Sequence, residues 1–211
     1  MKTLLIWGSG GHGRVVLDVA RAMRCFEEIV FYDNGPDKPD SLQGVPILSG
    51  RVGEVRPPAT TGFLIAIGSN RIRSERYAEA VAAGFTPVAC VHPSAVVSPT
   101  ATIGGGTVVM PNAVIQNNAV IGVNCIINTA AIVEHDCVVG DHAHLSPTVA
   151  LGGGASVGAF AHMGIGAVAI PGTKIGEGTV VGAGGVVIRD IPAHVTVAGV
   201  PAEVITSRNS R

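Results

Sequence analysis

Every sixth residue from Val97 to Val187 carries an aliphatic side chain, methionine included: Val97, Ile103, Val109, Ile115, Ile121, Ile127, Val133, Val139, Leu145, Leu151, Val157, Met163, Ala169, Ile175, Val181 and Val187. A period of six matches neither the 3.6 of a helix nor the alternation of a flat sheet. It matches a solenoid in which short strands meet at corners and successive coils stack. Three hexads make one triangular coil of 18 residues. Sixteen hexads therefore give about five coils and a prism on the order of 24 Å tall. Each buried aliphatic contributes roughly 1.5–3 kcal/mol of transfer free energy, largely offset by chain entropy. The fifth hexad place holds Ala113, Ala119, Cys125, Ala131, Cys137, Ala143, Ala155, Ala161 and Ala167. Small residues there imply an interior that narrows near each corner, so Cys125 and Cys137 read as inward filler.

Residues 1–90 follow another grammar. Thr3 to Trp7 is an apolar run ending in glycines, residues 12–24 have helical spacing, and Ile29 to Tyr32 is a second strand. After a Pro/Gly-rich passage, Phe63 to Ile67 predicts a third strand and residues 71–83 a second helix. This alternation predicts a parallel sheet with right-handed crossovers. The expected division is a Rossmann-like α/β domain over 1–91 and the solenoid with a closing segment over 92–211, its extreme end disordered.

Composition removes several function classes. A net charge of −1 and an aromatic content of 4% speak against a nucleic-acid partner. No apolar stretch approaches twenty residues, and residues 1–6 lack the core and cleavage site of a signal peptide, so a cytoplasmic protein is expected. The four cysteines, Cys25, Cys90, Cys125 and Cys137, have no metal-ligand spacing.

Gly8-Ser9-Gly10-Gly11-His12-Gly13 joins a predicted strand to a helix in the pattern GxGxxG, with Asp33 twenty residues beyond Gly13. Such a loop lets backbone N–H groups approach a pyrophosphate at a helix N-terminus. Ninety residues hold little more than one mononucleotide half, which favours a nucleotide-diphosphate ligand over NAD. Ser69-Asn70-Arg71 ends another strand at the same sheet edge. His12 faces either ligand phosphates or the turn itself, while His92 and His194 read as linker residues.

No Lys or Arg occurs between Arg76 and Lys174. Three of the column's four acids, Glu134, Asp136 and Asp141, sit beside His135, His142 and His144. Such a gathering marks a candidate site, with an imidazole suited to proton transfer near neutrality and Asp136, or secondly Glu134, as its partner. His144 and His162 differ by 18 residues and should stack on one face. His142 and His144 could begin a metal site, but no third ligand is evident and no metal is expected.

The hexads, read as Ile103-Gly104, Ile121-Gly122, Val139-Gly140, Val157-Gly158, Ile175-Gly176 and Val181-Gly182, with the tail Ala198-Gly199-Val200-Pro201-Ala202, resemble the hexapeptide acyltransferases. The glycine loop, Ala66-Ile67-Gly68-Ser69-Asn70, Asn128-Thr129 and Glu134-His135-Asp136-Cys137 resemble more narrowly the bacterial sugar acetyltransferases: bacillosamine and perosamine N-acetyltransferases and sialic acid O-acetyltransferases. The resemblance implies a left-handed parallel β-helix; spacing alone gives no hand. It implies acetyl-CoA as co-substrate, a nucleotide-linked 4-amino sugar (UDP-linked for preference) as acceptor, a role in glycan biosynthesis, and a homotrimer with active sites between columns. Matched residue by residue, His135 is the general base and Asp136 its partner. His144 lies near the thioester, and Asn128, Gly153 and Ile165 line the coenzyme site. Gly10, Gly11, His12, Gly13, Asp33, Asn34 and Asn70 serve the nucleotide sugar, Ser69 adding polar contacts. Lys174, Arg189 and Arg208 are the cations at hand for coenzyme phosphates. Sugar O-acetylation, a non-catalytic nucleotide-binding assembly module and a metal-dependent lyase or hydratase are the alternatives.

Overall fold

The computed structural model describes residues 2–36 and 38–207. The N-terminal unit runs β1 (Thr3–Trp7), α1 (Gly11–Met23), β2 (Glu28–Tyr32), β3 (Ser41–Leu42), β4 (Val45–Leu48), α2 (Val52–Val55), β5 (Thr61–Ile65), α3 (Asn70–Ala82) and β6 (Thr86–Pro87). Its six strands lie in the order β3-β4-β2-β1-β5-β6, parallel except for the β3–β4 hairpin. The Pro/Gly-rich passage thus hides the β3–β4 hairpin and α2. Both strands are too short, and β4 too interrupted by Pro46, for a legible alternation.

Side chains of β1 alternate between two cores. Leu4 and Ile6 pack with Val16, Leu17 and Val19 of α1, whereas Leu5 and Trp7 pack with Tyr32, Phe63 and Ala80 on the other face. The first core also contains Cys90, Val108 and Ile126, the outward residues of the column's first strands. One apolar cluster therefore fastens α1 to the column.

The column has three faces of two-residue strands. The first face carries Cys90–Val91, Val108–Val109, Ile126–Ile127, His144–Leu145, His162–Met163 and Val180–Val181. The second carries Val96–Val97, Val114–Ile115, Ile132–Val133, Ala150–Leu151, Val168–Ala169 and Val186–Val187, and the third Thr102–Ile103 through Lys174–Ile175. Neighbouring strands are 18 residues apart and parallel, as in His144↔His162. Stacking begins one hexad before Val97, because Cys90–Val91 pairs with Val108–Val109.

Within each strand the second residue points inward: Val109, Ile115, Ile121, Ile127, Val133 and Val139 are at most 2% exposed. Ala113, Ala119, Ala131 and Cys137 fill the interior beside them at 0%. Corners adopt the left-handed backbone at Asn112, Asn118, Asn124, Ala130, Asp136, His142, Thr148 and Phe160, with φ of 54–61°. That conformation costs an L-residue roughly 1–2 kcal/mol, which explains the Asn and Gly at many corners. Val195–Ala198 extends the first face beyond Val180–Val181, and Glu203–Ser207 returns antiparallel to close it. Arg208 and the extreme end expected to be disordered lie outside the described residues.

Candidate active site

The predicted site residues fall into two groups on opposite sides of the prism. The first surrounds the junction of the column's first face with the N-terminal unit. Gly10 and Gly11 begin α1 with open space where a Cβ would stand. Gly13 is different: a Cβ there would lie 2.2 Å from the Gly8 carbonyl oxygen, so its role is close helix–strand packing. Asp33 is taken up internally. Its Oδ2 accepts from Ser9 N–H (2.9 Å) and Ser9 Oγ (2.7 Å), and its Oδ1 from Gly35 N–H (2.8 Å). Burial alone would raise its pKa, but these donors and Lys38 hold it below the usual carboxylate range. Asn34 is likewise engaged, bonding the Tyr32 hydroxyl and both backbone groups of Gly50. Trp7, Asp33, Asn34, Gly35, Ile67, Arg76 and Glu79 line a cleft of about 400 Å³ at the carboxyl edge of the sheet.

A second cleft, about 410 Å³, opens where Gly68, Ser69, Asn70 and Arg71 meet Phe160, His162, Gly178 and Val180. Ser69 caps α3 by accepting from Ile72 N–H, and Asn70 donates to the carbonyls of Phe160 (2.8 Å) and Ala161 (3.1 Å). Under them lies Arg73, which no sequence signal marks. It is 1% exposed and donates to the carbonyls of Ile67, Gly68, Asn124, His142 and Ala143 and to Asn70 Oδ1. Those acceptors belong to both domains, so one guanidinium rivets α3 to the column. Desolvation lowers its pKa to about 10.

Beside Arg73 are His12 and His144. Burial, then the Arg73 charge, pulls His12 down to about 4. Burial, then His162, Arg73 and His12, pulls His144 down to about 3, the Gly68 backbone opposing slightly. Both rings are therefore neutral at pH 7. His144 stacks on His162 at 4.6 Å with planes 4° apart, and its Nε2 lies 3.3 Å from Asn128 Nδ2. His162 in turn meets Ser146 Oγ at 2.9 Å.

The second group occupies the vertex between the second and third faces, opposite the first. His135 and Asp136 follow Ile132–Val133 and precede Val138–Val139. His135 Nδ1 is 2.8 Å from Asp136 Oδ2, with side chains 62% and 58% exposed. Asp136 Oδ1 accepts from Asn118 Nδ2 at 3.2 Å. His135 first and Asn118 second hold the Asp136 carboxyl below its ordinary range. The His135 ring lies over Gly153 of the next coil, where a Cβ would come 2.5 Å from Nε2. Lys174 stands just past this vertex, and exposed Ile165 lies at another, between the first two faces. Arg189 pairs with Glu203.

The run 134–144 is therefore not one cluster within a chain. His142 sits at the vertex between the third and first faces, 2.9 Å from Asn124 Nδ2 and packed on Phe160 and Tyr77. His144 points from the first face and His135 from the opposite vertex. Among the described residues no group of three or more His, Cys, Asp or Glu is arranged to hold a metal ion. No helix among them is long and apolar enough to cross a membrane. Burial pushes the thiols of Cys90 to about 12 and Cys125 to about 11, and raises Cys137 as well, so none of these is a ready thiolate.

A Rossmann-like α/β unit joined to a parallel β-helix, with an exposed imidazole–carboxylate couple on the column, defines an acyltransferase of the hexapeptide class. Comparison with known proteins narrows this. Residues 3–80 match the family described as PglD N-terminal domain. The acetyltransferase domain of PglB from Neisseria gonorrhoeae FA1090 shares 39% identity over 97% of this chain and 100% of that one, with a TM-score of 0.94. The perosamine N-acetyltransferase of Caulobacter crescentus, solved as a histidine-to-asparagine mutant with CoA and GDP-perosamine, shares 40% over 98% of each chain, with a TM-score of 0.92. The UDP-N-acetylbacillosamine N-acetyltransferase of Bacillus subtilis (strain 168) is 41% identical over 120 residues, 52% of this chain. The chain spans about half the length of that curated relative, 51%. The chain belongs to this family of sugar N-acetyltransferases, and its column is the left-handed parallel β-helix that the hexads resemble.

Proposed function

We propose that the protein transfers the acetyl group of acetyl-CoA to the 4-amino group of a nucleotide-linked deoxy-amino sugar, most simply a UDP sugar. The single observation that carries the chemistry is the His135–Asp136 couple. With Nδ1–H given to Asp136, Nε2 keeps its lone pair, on an exposed ring seated over Gly153. The amine nitrogen attacks the thioester carbonyl while His135 Nε2 takes its proton; the C–S bond then breaks and the proton passes to the departing thiolate. The raised thiol pKa values favour direct transfer without an acyl-enzyme.

Because His135 lies opposite the face that carries the nucleotide unit, the reading requires a second copy to complete each site. The second face supports such an assembly. Its outward residues are Val96, Val114, Ile132, Ala150, Val168 and Val186, an unbroken apolar stripe with Val96 63% and Ile132 38% exposed. A closed homotrimer would bury three such stripes and bring each His135 to a neighbour's crevice. Neutral His144 and Asn128 would then stand at the thioester. Ile165, Gly153 and Lys174 would line the coenzyme, and the Gly10–Gly13 loop and the two clefts would hold the nucleotide sugar. Dependence on acetyl-CoA fits a cytoplasmic enzyme.

The test is thiol release from acetyl-CoA with UDP-, GDP- and dTDP-linked 4-amino sugars, and with sialic acid in parallel. Turnover with an amino sugar is expected. Turnover with sialic acid alone would replace this reading with O-acetylation.

A further inference from the structure

We propose that Asn118 is a positioning residue for the reaction, bracing the Asp136 carboxylate so that His135 is held with Nδ1 protonated and Nε2 free. This rests on the reading of His135 as the base. Asn118 and Asp136 occupy the same vertex one coil apart, both in the left-handed backbone at φ 57° and 58°. The two carboxylate oxygens are divided between two donors: Oδ2 takes His135 Nδ1 at 2.8 Å and Oδ1 takes Asn118 Nδ2 at 3.2 Å. The brace is itself anchored, because Asn118 N–H donates to Thr100 Oγ1 at 3.0 Å and Thr100 Oγ1 meets Ser98 Oγ at 3.1 Å. A ladder of polar groups thus climbs the vertex from Ser98 through Thr100, Asn118 and Asp136 to His135, whose ring rests on Gly153.

The need for a brace is physical. The terminal torsion of an aspartate is broad, and neither His135 nor Asp136 is packed by burial. A carboxylate free to rotate would release Nδ1 and let the imidazole proton move to Nε2, leaving no lone pair for the amine. An amide suits the task better than a second acid or a cation. It donates to the carboxylate without adding charge beside the imidazole.

Asn118→Gly removes the donor while accepting the positive φ, and Asn118→Asp replaces the donor with a like charge. The ¹⁵N shifts of the His135 ring report its tautomer without any turnover. The neutral ring of wild type is expected as a single Nδ1–H form, and that of Asn118→Gly as a mixture. Its kcat should fall about 10-fold at unchanged KM and with a melting midpoint within a few degrees of wild type. Asn118→Asp should move the acidic limb of the kcat–pH profile upward, because an added carboxylate stabilises the imidazolium. A single retained tautomer in Asn118→Gly, together with an unmoved pH limb in Asn118→Asp, would reduce Asn118 to a corner residue. Should Asn118→Gly fail to fold, Asn118→Asp decides by the same ring shifts. Absence of any acetyl transfer by wild type would refute the enzymatic reading instead, leaving the ring measurement to judge the brace.

Discussion

Replacing Gly153 by alanine should disable the reaction while sparing the fold. An added Cβ would lie 2.5 Å from His135 Nε2 and 2.6 Å from Cε1, about 0.9 Å inside ordinary van der Waals contact. The backbone at Gly153 is outside the left-handed region, so alanine adds no conformational strain there. What must yield is the ring, the far end of an exposed side chain, and its displacement costs little stability. It cannot move by that amount and keep both the 2.8 Å bond to Asp136 and the open position of Nε2. A misplacement of about 1 Å at a reacting group costs on the order of 10²-fold in rate. Steady-state thiol release should therefore show kcat reduced about 100-fold in Gly153→Ala, with a melting midpoint within a few degrees of wild type. A kcat within twofold of wild type would refute the claim that the ring's seat on Gly153 sets the base.

Arg73→Met should loosen the N-terminal unit, because carbonyls of both domains lose a buried cationic donor; a loss of about 3–5 kcal/mol in chemical denaturation is expected, and a loss below about 1 kcal/mol would contradict the rivet. Ala131→Leu should overpack the column by roughly 1–3 kcal/mol in the same measurement, since Ala131 is 0% exposed; an unchanged midpoint would show that the interior has room. The pH dependence of stability follows from His12 and His144, both titrating lower in the fold than in the unfolded chain. Below pH of about 6.5 the unfolded chain takes up protons first, so stability falls with pH toward about 4 for His12 and about 3 for His144. The melting midpoint should drop from pH 7.5 to 4.5, and less steeply in a His12→Asn/His144→Asn variant; equal slopes would contradict burial of the neutral rings.

The column is legible in the sequence because one constraint, an inward aliphatic every sixth residue, repeats without a break, and the small fifth position follows from the narrowing interior. The glycine loop and the strands around it are legible from length and apolarity. Arg73 is not. It sits in a polar helix whose acids, Glu75 and Glu79, lie at the spacing of Arg71 and Arg76 rather than its own, and its partners are mostly backbone carbonyls that a sequence does not display. The twenty-residue spacing singles out Asp33 but does not show that its oxygens hold the Ser9 loop and Gly35. The gathering of residues 134–144 is visible as composition but not as geometry. Nine residues are half a coil, so His135 and His144 point to opposite sides of the prism. Subtracting one 18-residue coil from Asp136 leads to Asn118.

His135 of one copy and the crevice around His144 of another are expected to form each site together, and complementation measures that directly. His135→Ala alone and His144→Ala alone should each be nearly inactive. Unfolded together in equal amounts and refolded as mixed assemblies, they should regain activity at about one quarter of the sites, where an intact His135 meets an intact crevice. Mixed assemblies as inactive as either parent would contradict the account.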